Sequence, residues 1–229
     1  MEKETRYFNF PIQILQGFMN DQRNTLNNIC DYAIYAHSLS YEYGESEIEK
    51  FEEANGYYRL KVGNSKHSLN NGKYLYNDFM GLNPPMVGLS TNIWWDFYLN
   101  QKTDFELACL LGFLGLKSIL NAKSYCKVTN NYWLSRMDGQ AKSVSQTNQL
   151  TPPIAKYSNE YQLKKIKEEL SLNWGLKHYG RYTRGFYVSF KMEFKELVRQ
   201  AELSRKSRKK EQLKNQRNEI IQNVLIELQ

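Results

Sequence analysis

The stretch Thr103 to Leu120, TDFELACLLGFLGLKSIL, decides how the rest of the chain is read. Thr103 is a good N-cap, Asp104 and Glu106 fall in the first turn and Lys117 in the last, so both ends complement the helix dipole. Between them the residues are apolar nearly all round, which predicts a helix buried on every side rather than an amphipathic one. Such a helix needs partners, and the following sequence supplies them. Thr129 can cap a short helix over Asn130–Met137 that Gly139 stops. Residues 140–157 are polar, carry Pro152 and Pro153, and read as a loop. Ser158 then caps a helix in which Leu163, Ile166 and Leu170 form one inward stripe, leaving Gln162, Lys164, Lys165 and Lys167 outside. Phe186, Val188 and Phe190 alternate with Tyr187 and Ser189, and this period of two beside Gly180 and Gly185 is a hairpin signal. A last helix starts near Met192, apolar at Phe194, Leu197, Val198 and Ala201.

Upstream, a helical pattern runs from Asp21 to Leu39, with Leu26, Ile29, Cys30, Ala33, Ile34 and His37 at steps of three and four. A charged helix is expected from Glu45 to Ala54, ended by Asn55-Gly56. Residues 62–72, rich in Gly, Asn and Ser, read as loop, and Leu75–Phe79 as a short element. Asn83-Pro-Pro breaks regular structure. The aromatic group Trp94, Trp95, Phe97 and Tyr98 reads as core packing, because no positive charge is interleaved with it as in a base-stacking platform.

The chain has 229 residues, 41% hydrophobic and 14% aromatic, with 13 Gly and 5 Pro, which excludes disordered, collagen-like and low-complexity classes. Cys30, Cys109 and Cys126 are widely spaced with no C-x-x-C pair, so they read as free buried thiols rather than as a disulfide or zinc framework. The N-terminal segment lacks the basic-then-apolar order of an export signal, and the longest apolar run, Ala108–Leu116, is too short to span a membrane. A cytoplasmic protein is expected, with no cofactor and no metal.

The formal charge is +7, from 31 Lys+Arg and 24 Asp+Glu. It is divided unevenly: residues 1–100 hold 8 basic and 12 acidic residues (8 − 12 = −4), and the remainder holds 23 and 12 (23 − 12 = +11). That asymmetry points to nucleic acid or another anionic partner for the second part. The densest run is Arg205, Lys206, Arg208, Lys209, Lys210, Lys214 and Arg217, interrupted by Glu211. As a helix it is charged all round, so it either grips nucleic acid or stands in solvent. Ile220, Ile221, Val224, Leu225 and Leu228 then restore an apolar stripe, which packs on its own domain or on a second copy as a homodimer.

Buried helix, short helix, basic amphipathic helix and two-stranded hairpin, in that order over about residues 103–190, resemble a winged helix-turn-helix domain. This domain occurs in plasmid and phage replication initiators and in regulators of mobile elements. The resemblance implies a mainly α fold with a small β-hairpin, in which an acidic helical region (1–100) precedes the winged-helix-like domain (101–190) and a basic C-terminal helix (191–229) follows. It implies duplex DNA as partner. Tyr161, Gln162, Lys164, Lys165 and Lys167 would face the groove, Arg181 and Arg184 at the hairpin tip would hold phosphate, and Thr129, Asn130, Asn131 and Tyr132 would add backbone contacts. One departure is the long connection between the second and third helices, where the family has a tight turn.

Catalytic signatures are missing. Gly112, Gly115, Lys117 and Ser118 imitate a phosphate-binding loop but lack its spacing and lie in a buried helix. His37, His67 and His178 read as structural, and the spacing of Asp78, Asp96 and Asp104 does not form a metal site. The expectation is a non-enzymatic DNA-binding protein, a transcriptional regulator or replication-associated factor. The alternatives are an interaction or scaffold protein using its C-terminal helix, or an RNA-binding protein.

Overall fold

The computed structural model describes residues 5–42, 46–58, 64–180 and 185–227; the side chains of 208, 209 and 219–227 lie outside the description. Mainly helical, as expected, it carries two small antiparallel sheets among the described residues.

The first sheet pairs β1 (Tyr7–Pro11) with β2 (Met86–Ser90), two segments far apart in sequence. Phe8 opposes Leu89 and Phe10 opposes Val87, all turned into the core. Between the strands lie α1 (Gln22–Ser38), α2 (Glu47–Tyr58) and α3 (Ser65–Phe79). Asp21 caps α1 by accepting from the Asn24 amide at 3.1 Å. α2 continues past Asn55-Gly56, because Tyr58 is buried and stacks on Phe8 at 4.7 Å between ring centroids. The described part of the segment read as loop is helical. Asn64 accepts from the His67 amide at 3.1 Å, and Gly72 lies so close to α1 that a Cβ there would stand 2.4 Å from the Asp31 carbonyl oxygen. The glycine that looked like a helix breaker is what lets α3 pack on α1.

After β2, α4 (Thr91–Leu99) carries the aromatic group; Trp94 and Phe97 are buried, and the Trp94 indole N–H donates to the Leu26 carbonyl at 2.9 Å. Then comes α5 (Asp104–Leu120), capped reciprocally by Thr103 and Glu106. It is the axis of the molecule, in contact with β2 on one side and with α6 (Asn130–Met137) and α8 (Glu160–Asn173) on the other. Its glycines are contact points. The Trp133 indole N–H donates to the Gly112 carbonyl at 2.9 Å, and a Cβ on Gly112 would meet Ile166 at 3.1 Å. One connected core runs from Phe8 to Val188 through this helix.

α6 is capped by Thr129 and ended by Gly139 at φ +71°. The connection read as loop holds a 3-10 turn at Thr147–Gln149 and the short helix α7 (Pro152–Ala155), where Asp138 accepts from the Thr151 amide at 3.0 Å. The cap of α8 is Asn159, which accepts from the Gln162 amide at 2.9 Å, rather than Ser158. Leu163, Ile166 and Leu170 are buried as the stripe predicts.

The second sheet, with strand order β3-β5-β4, joins β3 (Cys126–Val128), β4 (Lys177–Tyr179) and β5 (Phe186–Ser189), all antiparallel. Phe186 and Val188 face the main core. On the opposite face, Tyr187 packs with Leu197 and Ala201 of α9 (Phe194–Glu227), with Tyr125 and Tyr179 beside them. β5 is therefore buried on both sides. Phe194, expected on the apolar face of α9, is half exposed.

Candidate nucleic-acid interface

β4 runs from Lys177, opposite Ser189 at the base of the hairpin, to Tyr179, opposite Tyr187 nearer its tip. α9 starts just beyond the base, packs Leu197 and Ala201 on Tyr187, and receives the Tyr179 phenol hydrogen bond on Glu202 Oε1 at 2.8 Å. These contacts lie at one level of the hairpin, since Tyr179 and Tyr187 are paired across the two strands. At about 1.5 Å per residue its 34 residues make a rod about 50 Å long, which continues well past Glu202, its hydrogen-bonded contact with β4. From 205 to 218 every described side chain is exposed, including Arg205, Lys206, Lys210, Lys214 and Arg217. Arg205 leans back on Glu202 at 2.7 Å. Arg208 and Lys209 fall on the same helix with side chains outside the description. So do Ile220, Ile221, Val224 and Leu225, and Leu228 lies outside the described residues. Arg181 and Arg184 at the tip also lie outside them.

On the other face of the hairpin, a cleft of about 660 Å³ separates α8 from the two strands. Glu160, Lys164, Lys167 and Glu168 line it from α8, His178, Gly180, Gly185 and Phe186 from the hairpin, and Asn130 from the start of α6. The start of α6, one face of α8 and the described ends of the hairpin, Gly180 and Gly185, thus meet at one cleft. Gly185 is needed there: its φ is +90°, and a Cβ would stand 2.3 Å from the Val128 carbonyl oxygen, just before the α6 cap.

Lys164 and Lys167 both come from this side of α8 but have different environments. Lys164 is largely exposed and lies 3.8 Å from Glu168. The Lys167 ammonium stands 3.9 Å from the Phe186 ring centroid and 5.6 Å from that of Trp133, and donates to Asn130 Oδ1 at 3.3 Å. Burial pushes its pKa down to about 8, with Glu160 opposing in part. His178 is lowered as well, first by burial and then by Lys167.

Tyr161 is exposed, with Lys165 Nζ 4.6 Å from its ring centroid. Gln162 is half buried and turns with Lys165 towards a different cleft, beside Asp104 and Lys156, so it is not beside Lys164 and Lys167. Thr129 and Asn131 are exposed. Tyr132 is held by Arg136, whose Nη2 donates to its hydroxyl at 2.7 Å. Two residues of this region escaped the sequence reading. His178 reads as an ordinary strand histidine until its neighbours are known, and Leu172, 81% exposed on α8, was concealed by a helix whose other leucines point inward.

No known protein family, characterised protein or solved structure matches this chain. Among the described residues no helix is long and apolar enough to cross a membrane.

Proposed function

We propose that the protein binds duplex DNA as a winged helix-turn-helix protein, with α8 in the major groove, the β4–β5 hairpin against the backbone and the α9 arm along flanking phosphates. The observation that carries this reading is the cleft where the start of α6, Lys164 and Lys167 of α8 and Gly180 and Gly185 of the hairpin meet, together with the exposed basic stretch of α9. The net +11 of residues 101–229 supplies the attraction. Tyr161, Lys164 and Lys167 contact the groove, Arg181 and Arg184 the hairpin-side phosphates, and Arg205 to Arg217 the flanks. The biological role that suits such a reader is regulation or replication of a mobile element, with no catalysis of its own.

A mobility-shift titration with random-sequence duplex at about 50 and about 200 mM salt tests the reading, because each phosphate neutralised releases counterions and steepens the salt dependence. Binding at the lower salt that weakens at least tenfold at the higher is expected; no binding at low salt overturns it. Structured RNA competing better than duplex would move the assignment to RNA.

A further inference from the structure

Among the described residues Lys167 has no counterion within ion-pairing distance. Its Nζ has two aromatic faces and one amide oxygen around it. Glu168 is turned to Lys164, and Glu160 acts on Lys167 only from a distance. An ammonium carries three donors, and burying one with most of its hydrogen bonds unmade is costly unless something else claims them. The cleft into which it opens is large enough for a phosphate group and is lined in part by Gly180 and Gly185.

We propose that the cleft between α8 and the β4–β5 hairpin seats one phosphate of the nucleic-acid backbone against Lys167 Nζ, and that this seating takes up a proton. The proposal rests on the DNA-binding reading and deepens it. Lys167 is the phosphate ligand and Asn130 its positioning residue, while Lys164 remains an exposed, interchangeable charge. The ionisable groups facing Lys167 are Glu160, Lys164 and Glu168 from α8 and His178 from β4. The two carboxylates oppose the anion, Lys164 screens Glu168, and His178 adds a second donor that charges only at lower pH. With a pKa of about 8, Lys167 is half protonated at pH 8 in the free protein and fully protonated once a phosphate sits against it.

Calorimetric titration of the full chain with a short duplex at pH 8, in two buffers of different ionisation enthalpy, counts the protons. About half a proton taken up per site is expected, falling to about a tenth at pH 7. In Lys167→Met the uptake at pH 8 vanishes, affinity at pH 7 falls about tenfold or more and the salt slope drops by about one. Lys164→Met lowers the slope similarly but leaves the uptake unchanged. Lys167→Arg, which keeps the charge at every pH, retains binding and loses the uptake, and it decides the matter if the Met variant fails to fold. Duplex binding by the wild type without proton uptake, or uptake that persists in Lys167→Met or Lys167→Arg, overturns the phosphate seat while leaving DNA binding intact. Failure of the wild type to bind duplex at low salt overturns the DNA reading itself.

Discussion

The two antiparallel sheets are mounted in opposite ways. In the β1–β2 sheet one face lies on the core and the other carries Tyr7 and Met86, exposed by 53% and 42%. In the β3-β5-β4 sheet the core lies on one side and α9 on the other, so that all four residues of β5 are buried. The first sheet closes a region of net −4 and serves the core. The second sits among the positive elements, and its covered faces hold the hairpin stiffly between α8 and the basic arm. A strand gripped from both sides can transmit position from a core helix to a surface arm; one gripped from a single side cannot.

Trp133→Ala tests that grip most severely. Trp133 is fully buried, packs edge-on to Phe186 at 5.6 Å and anchors α6 to α5 through Gly112, so its removal is expected to destabilise the fold by about 3–5 kcal/mol in denaturant unfolding. A loss below about 1 kcal/mol would mean that the core face of β5 does not bear the load. A pair of glycine substitutions then sets the sheets side by side. Gly185→Ala forces a side chain into a positive-φ position against a backbone carbonyl and is expected to cost about 2–3 kcal/mol. Gly88→Ala in β2 meets chiefly the movable end of Asn9 at 2.9 Å and should change stability by about 0.5 kcal/mol or less. Equal costs would erase the distinction between the sheets.

How far the sequence foretold this arrangement follows from the range of the interactions. α5, α6 and α8 were legible to within a residue or two, because caps, dipole charges and apolar spacing are all local, as Thr103, Thr129 and the Leu163–Leu170 stripe illustrate. β1 and β2 were not, since each is five residues long and its partner lies some eighty positions away. α3 was missed because Gly72, read alone, disfavours a helix, whereas read against the Asp31 carbonyl it is required. In the candidate site the residue types were legible but their inequality was not. Lys164 and Lys167 are one helical turn apart and identical in sequence terms, yet one stands in solvent and the other over two rings.

Tyr179→Phe probes the outer grip alone. It deletes the hydrogen bond to Glu202 and keeps the ring, so a loss of about 1 kcal/mol is expected, read as faster amide exchange in α9 with α5 and α6 unchanged. Uniform loss of protection would instead make the outer face part of the main core.

An effect of similar size separates the cleft from the rest of the fold by pH. The folded-state pKa of Lys167, about 8, lies below the ordinary 10.5 of an unfolded lysine, so the native state is penalised by the charge at lower pH. Between these values the unfolded chain binds more protons than the folded one, and stability contributed by this group therefore rises with pH through that window. Because the side chain retains some solvent contact, about 1 kcal/mol over the whole window is the expected size. Lys167→Met should abolish the rise and be slightly more stable than the wild type at pH 7, even as it binds duplex less well. A variant that is both less stable and equally pH-sensitive would show that Lys167 is supported by its rings rather than strained by them, and that the hairpin, not the cleft, carries the positive charge of this end.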